Sequence, residues 1–486
     1  RRMFSIILIL LFVAAMICAG FWGMKKTKSL NDFFIGSRSI GPWISAFSYG
    51  TTYFSAVVFI GFAGKLGWAY GLNALWIALG NAFLGSFLAW IVLGRRTRRM
   101  TQNLDVVTMP EFLQERYKGK YFKMLAATVI FLFLLPYAAS VFKGLGYLFE
   151  VNFSISFDTA LLIMVIITGL YLILGGYFAL AITDFIQGFI MIVCAVVMVC
   201  ILVGKAGGFA ESINMISLNY YKNVYSAASP DYIMLAATVF MTSFGVWAMP
   251  QMVQKFYAIK DEKVIKLAAY GTLVFALLIS LCAYFTGALT HVFFEAPVTV
   301  NGVVNFDAMI PEMLIRCLPA AVMSLILILI LSASMSTLSA LVLVSASSIA
   351  IDLYKGHINP GLSKKSSVAM MRFLSGIFIL ISFLIAKYEF SFIITLMSLS
   401  WGVIAGGFLA PYVYGLYWKR ATLIGAKAGM ASGIFLAISL FYILGPSKAP
   451  LASSIAMIVP FIVVPVVSLF TRKPDSRAIV KAFKGI

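Results

Sequence analysis

Apolar stretches of about twenty residues, separated by short polar turns, recur along the whole chain. That is the length an α-helix needs to cross the hydrocarbon core of a bilayer. The pattern predicts thirteen spans, at about 4–23, 41–64, 72–94, 125–148, 156–175, 182–204, 231–254, 267–290, 318–350, 368–386, 390–415, 423–444 and 451–471. The polar run "PEFLQERYKGKYFK" predicts a short surface helix, and longer loops fall at about 205–230 and 291–317. The first stretch, from Phe4 to Gly20, lacks a small-residue cleavage site, and its basic cluster follows it. It therefore reads as a retained helix and not a signal peptide.

Polar and helix-breaking residues inside these spans carry the chemistry. The second span reads "SAFSYGTTYFSAVVFIGFAG" and predicts an interruption at Gly50, flanked by Ser48, Thr51 and Thr52. The seventh reads "TSFGVWAMPQMVQKF", with breakers at Gly245 and Pro250. Broken helices free backbone groups in mid-membrane, which is tolerated only inside protein or beside a cavity. The two spans are five apart, the separation of two five-helix repeats that begin at them. The ninth span holds "LSASMSTLSALVLVSASSIAIDLYK". Ser332, Ser336 and Ser339 share one helical face there, with Thr337 beside them. Hydroxyls and free carbonyls are ligands for a small hard cation such as sodium. The alternative is that small residues simply let helices pack closely.

Composition narrows the class. Of 486 residues, 62% are hydrophobic and 11% charged, which leaves no room for a sizeable soluble domain. The 37 Lys and Arg outnumber 17 acids and cluster at 25–38, 95–99, 116–123, 255–266, 355–372, 419–427 and beyond 472. With the spans as placed, these clusters share one side, as the positive-inside rule requires of cytoplasmic loops. The reading is a multi-pass protein of the plasma (inner) membrane, with its amino terminus outside and its tail inside. The charge then reflects topology and contact with anionic lipid, not nucleic acid. The five cysteines are scattered, and His291 and His357 fall in loops. No paired carboxylates, histidine cluster or nucleophile with a base lies inside a span, which argues against an enzyme.

Five motifs together resemble the sodium:solute symporters: "FFIGSRSIG", "VVTMPEFLQERY", "LGGYFALAITDFIQG", "MSTLSALVLVSASSIAIDLYK" and "GLYWKRAT". The resemblance runs from about residue 30 to residue 430. It implies an all-α polytopic membrane protein with a five-plus-five inverted repeat of the LeuT type. Residues 1–24 would be an extra helix, and 40–415 the ten-helix core, with repeats at about 40–204 and 231–415. Residues 422–471 would form two further helices, and 472–486 a cytoplasmic tail.

Carried over residue by residue, the resemblance implies a sodium site. Its ligands are the carbonyls of Thr51, Phe54 and Ala333 and the hydroxyls of Ser336 and Thr337. Some relatives bind a second sodium, and Asp184, Ser336 and Ser339 match its ligands here, with Ala340 where a further hydroxyl is expected. On its own, Asp184 reads equally as a cap near a helix amino end. The implied solute site draws on Thr52, Tyr53, Ser55, Asn81, Tyr137, Trp247 and Gln251. Proline symporters carry an acid at the position of Tyr53, and Pro-His with a later Arg where this chain has Gln251 and Lys255. Sialic acid transporters use an arginine in the Tyr137 region, which this chain lacks. Lys143, beyond Tyr137, reads as a cation that pairs with an anionic solute group or, the favoured reading, snorkels outward. The expected activity is sodium-coupled import of a small amino acid or carboxylate-bearing metabolite by alternating access. Sodium is the coupling ion, no organic cofactor is needed, and the unit is a monomer. Proton coupling through Asp184 and a non-transporting sensor are the alternatives.

Overall fold

The computed structural model describes residues 2–26, 30–172, 177–225, 227–388 and 391–486. Its helices begin with α1 (Arg2–Lys26), α2 (Pro42–Tyr53), α3 (Ala63–Tyr70) and α4 (Leu75–Gly80), which opens a helical run to Leu104. There follow α5 (Met109–Tyr117), α6 (Lys120–Phe153), α7 (Phe157–Leu172) and α8 (Tyr177–Lys205). After a connecting segment come α9 (Tyr232–Phe244), α10 (Pro250–Ala258), α11 (Lys263–Ala288) and α12 (Ala320–Ser347). The chain ends through α13 (Lys364–Lys387), α14 (Ile393–Tyr417), α15 (Leu423–Leu444) and α16 (Pro460–Phe470). The one sheet among the described residues is a two-stranded hairpin at 299–304.

Ten helices among these residues are long and apolar enough to cross a membrane, or eleven when the pair α9 and α10, bent by 49°, counts as one span. The thirteen spans expected from hydropathy differ from this count at two places. Residues 57–104 count as one helical run by length, yet Gly71 breaks it between α3 and α4 (φ +54°, ψ −130°). Tyr49 Oη donates to Gly85 O at 2.8 Å, so the chain doubles back there and the two expected spans stand. α7 is short over its described residues, and 173–176 lie outside them. α12 and α14 run through the middle and are almost wholly buried, whereas α1 and α15 are mostly exposed at the outside. Outer helices turn Leu11, Phe189, Phe435 and Phe470 outward. So much apolar exterior suits lipid and not water.

Local chemistry sets the element ends. Pro42 and Pro250 each stand in a first helical turn, where a missing N–H costs nothing. At α5, Thr108 Oγ1 accepts from Glu111 N–H (3.2 Å), and Glu111 Oε2 reaches back to accept from Val107 N–H (3.0 Å), one residue before the cap. Lys118 then adopts φ +59°, so the expected surface helix stops at Tyr117 and its last residues start α6 instead. Arg95 and Arg99 pair with Glu262, Arg98 donates to Ile259 O, and Arg96 donates to Leu416 O. The 95–99 cluster thus packs against the turn at 259–262 and the end of α14. His291, expected in a loop, is buried in the short turn 290–293 and stacks on Trp68 at 4.3 Å.

Gly50 does not interrupt its helix. α2 continues through it to Tyr53, and the break comes at Phe54 and Ser55. Gly50 is needed for packing: a Cβ there would run into the ring of Phe275 on α11. Overfilling such a contact costs about 1–3 kcal/mol. Gly50→Ala is therefore expected to lower the melting temperature, and Phe275→Leu in the same protein to recover part of the loss.

Candidate functional site

α2 ends because Phe54 turns extended (φ −107°, ψ 121°), its N–H closing on Gly50 O at 3.2 Å. The last carbonyls of a helix have no partner within it. Here α12 supplies them. Ser336 Oγ donates to Thr51 O at 2.8 Å, and Thr337 Oγ1 lies 3.3 Å from Thr51 O and 3.1 Å from Thr52 O. Both hydroxyls also lie 3.1 Å from Ala333 O. On the other side of the break, Ala56 N–H donates to Ser334 Oγ at 3.2 Å. One serine-rich turn therefore caps both broken ends.

Four of the five expected sodium ligands, Thr51, Ala333, Ser336 and Thr337, are brought together, and all are fully buried. Phe54 is the residue at the break. No hydrogen bond from Ser336 or Thr337 reaches its carbonyl among the described residues. The oxygens are all uncharged, a donor set suited to a monovalent hard cation. No group of three or more His, Cys, Asp or Glu that could hold a metal occurs among the described residues.

Asp184 lies in the interior of α8, seven residues after Tyr177, so the capping reading fails. Its Oδ2 accepts from Ser48 Oγ at 2.6 Å and lies 3.6 Å from Lys255 Nζ on α10. Both side chains of this ion pair are 0% exposed, and the Tyr177 ring stands 5.1 Å from the ammonium. Ser339 Oγ instead donates within its own helix, to Met335 O at 2.6 Å. Among the described residues, no hydrogen bond joins Asp184 to Ser336 or Ser339. One turn beyond Asp184, a Cβ at Gly188 would touch Thr51, so the pair sits close to the broken helix. Sequence reasoning placed Lys255 in a cytoplasmic basic cluster and noted it as a departure; its burial against Asp184 corrects the first reading. The signal it passed over was a lysine in an apolar segment just after a helix break.

The expected solute residues divide. Tyr53 Oη donates to Thr242 O at 2.6 Å, and its ring stacks 6.4 Å from that of Trp401. Tyr137 meets the same Trp401 edge-on at 5.8 Å. A Cβ at Gly245, in the second break, would press on that indole too. Trp401, on α14, thus gathers residues of both breaks, and its Nε1 is buried without a hydrogen-bond partner among the described residues. Thr52 Oγ1 and Gln251 Oε1 are also buried and unpartnered. Asn81 begins a widely wound stretch of the α4 run and accepts from Ser243 Oγ at 3.4 Å. Such π-wound turns recur at functional sites. Ser55 Oγ only accepts from Val57 N–H, and Trp247 Nε1 is already spent on Leu84 O at 3.0 Å. Trp401 was missed because hydropathy reads "SLSWGVIAGG" as an ordinary span.

Lys143 does not snorkel outward. It is 3% exposed, donates to Ser391 O at 2.7 Å and lies 3.7 Å from Asp307 Oδ2.

Residues 33–433 match the family model for the sodium:solute symporter family. The osmoregulated proline transporter OpuE of Bacillus subtilis is 29% identical over 437 residues, covering 87% of this chain and 86% of that protein. The sodium/proline symporter of Escherichia coli is 28% identical over 432 residues, covering 88% and 86%. In structure, the chain resembles a Na+-coupled sialic acid symporter solved in a substrate-bound outward-open state. The TM-score is 0.79 at 17% identity, over 97% of this chain and 98% of that one. It also resembles Mhp1 in its inward-facing conformation, with a TM-score of 0.55 at 12% identity, covering 92% and 96%.

Proposed function

Because the chain belongs to the sodium:solute symporter family, we propose that it imports a small, net-neutral solute together with sodium across the plasma membrane. A zwitterion such as an amino acid is the expected class, and the proline transporters among its relatives make L-proline the first compound to try. The observation that carries this reading is the pair of α12 hydroxyls seated on the carbonyls freed at Thr51 and Thr52. A desolvated sodium ion placed among these oxygens would hold α2 and α12 together. Thr51, Phe54, Ala333, Ser336 and Thr337 are its ligands in this proposal. When bound, the ion supplies positive charge beside the solute site.

The solute would lie against Tyr53, Tyr137 and Trp401, with Thr52 and Gln251 offering unspent polar atoms. Tyr and Trp give flat apolar faces with a polar edge. None of these residues is charged, which favours a solute without net charge. Residues 40–204 and 231–415 act as two inverted repeats, and rocking between them exposes the site to either side in turn. One sodium suffices energetically. It gains ~2.3 kcal/mol per 100 mV and ~1.4 kcal/mol from a tenfold gradient, so solute accumulation reaches roughly several hundredfold. The amino terminus lies outside and the basic end of the bundle inside, with lipid around a functional monomer. The carboxylate of Asp184 is held by Lys255 and Ser48, which speaks for sodium coupling over proton coupling.

The test is thermal unfolding of the purified protein with L-proline and other small metabolites, in sodium and in potassium. A ligand of the site raises the melting temperature in sodium alone. Trp401→Ala should remove that shift. Stabilisation that follows pH and ignores sodium would point to the proton-coupled reading instead.

A further inference from the structure

At the end of the bundle away from the arginine cluster, a cavity of about 580 Å³ opens between α3, α6, the hairpin at 299–304 and the start of α14. Its walls are mixed: Val300, Val303 and Phe392 are apolar, Tyr147 adds an aromatic ring, and Asn301, Asn305 and Thr395 are polar. Two lysines, Lys65 and Lys143, also line it. They are not equivalent. Lys143 is anchored, by Asp307 at 3.7 Å and Ser391 O at 2.7 Å. Asp307 is committed as well, its Oδ2 accepting the Ile393 N–H at the head of α14 at 3.1 Å. Lys65 has a ring contact, its ammonium 5.3 Å from the centroid of Phe392, and no carboxylate within 4.0 Å among the described residues; Asp307 acts on it only at longer range. One positive charge is therefore left over among Lys65, Lys143 and Asp307, in a recess walled by apolar and uncharged polar side chains. An unpaired ammonium beside aromatic walls fits a carboxylate with an apolar body.

We propose that this cavity is a second binding site, independent of sodium, for an apolar monocarboxylate whose charge is held by Lys65. It is distinct from the aromatic group around Trp401. Lys143 lies six residues beyond Tyr137 on α6, roughly 9 Å along the helix. If the transport reading above holds, a carboxylate-bearing solute meets Lys65 before it reaches Tyr137 and Trp401. The site itself does not depend on that reading.

The probe is 4-fluorophenylacetate, followed by fluorine NMR with the full chain in lipid nanodiscs and potassium buffer. Saturable binding is expected without sodium. Lys65→Gln should weaken it about tenfold or more, and Lys65→Arg should keep it within about threefold, since a guanidinium also holds a carboxylate. Ser336→Ala with Thr337→Ala should leave it unchanged. The neutral 2-(4-fluorophenyl)ethanol should bind at least about tenfold more weakly than the acid. Equal binding of the alcohol, or unchanged binding in Lys65→Gln, overturns the proposal. So does loss of binding in the Ser336/Thr337 variant alone, which would place the probe in the central site. The sodium-specific melting shift reads the transport proposal separately, so the two can fail independently.

Discussion

The double substitution Ser336→Ala with Thr337→Ala erases the difference between sodium and potassium in solute-dependent stabilisation and in uptake. Each hydroxyl is expected to contribute about 2 kcal/mol as a ligand of a charged ion. Together they amount to about 4 kcal/mol, about a thousandfold in sodium affinity. The competing explanation is that the two hydroxyls only tie α12 to α2 through the Thr51 and Thr52 carbonyls. That role also predicts a loss, because the carbonyls would be left buried and unpaired. The two explanations differ in which measurement moves. A tie lowers the melting temperature equally in both salts and keeps the sodium-specific shift. A sodium ligand set removes the sodium-specific shift, whatever happens to the baseline. Thr337→Ser, which keeps the oxygen, should restore most of the response when Ser336 is intact. A double variant still stabilised by solute in sodium but not in potassium would refute the assigned cage.

Much of this arrangement was legible in the sequence, for reasons that differ from element to element. The serine face of α12 could be read because helical spacing alone puts Ser336 beside Thr337. The bend between α9 and α10 could be read because Pro250 cannot continue a helix. The first break was placed four residues early. Gly50 looks like a breaker, but its missing side chain makes room for Phe275, a neighbour that no local pattern reveals. The true break at Phe54 and Ser55 carries no breaker of its own and rests on caps from α12. Trp401 and Lys255 were passed over for the same reason: each matters through partners more than a hundred residues away, or on another helix. Lys143 was misread because its acid, Asp307, lies in a loop that hydropathy leaves blank.

Breaking the Lys255–Asp184 pair is the other large effect. Both side chains are fully buried; the ion pair is not hydrogen-bonded, and the carboxylate's hydrogen bond among the described residues comes from Ser48. Removing one partner of such a pair leaves an uncompensated charge and costs about 3–5 kcal/mol, whereas neutralising both is often close to neutral. Lys255→Met alone should therefore unfold at a markedly lower temperature in potassium. Asp184→Asn with Lys255→Met should recover most of that stability. The sodium response separates structure from coupling. Lys255 already pairs with Asp184, so if the lysine stands in for a second cation, solute binding should depend on sodium with a Hill coefficient near one. In Lys255→Met the bare carboxylate invites a free cation, so added sodium should stabilise this variant more than the parent, and the sodium dependence should steepen. If Lys255→Met proves as stable as the parent in potassium, or the double variant is no better than the single, the two groups are not electrostatic partners.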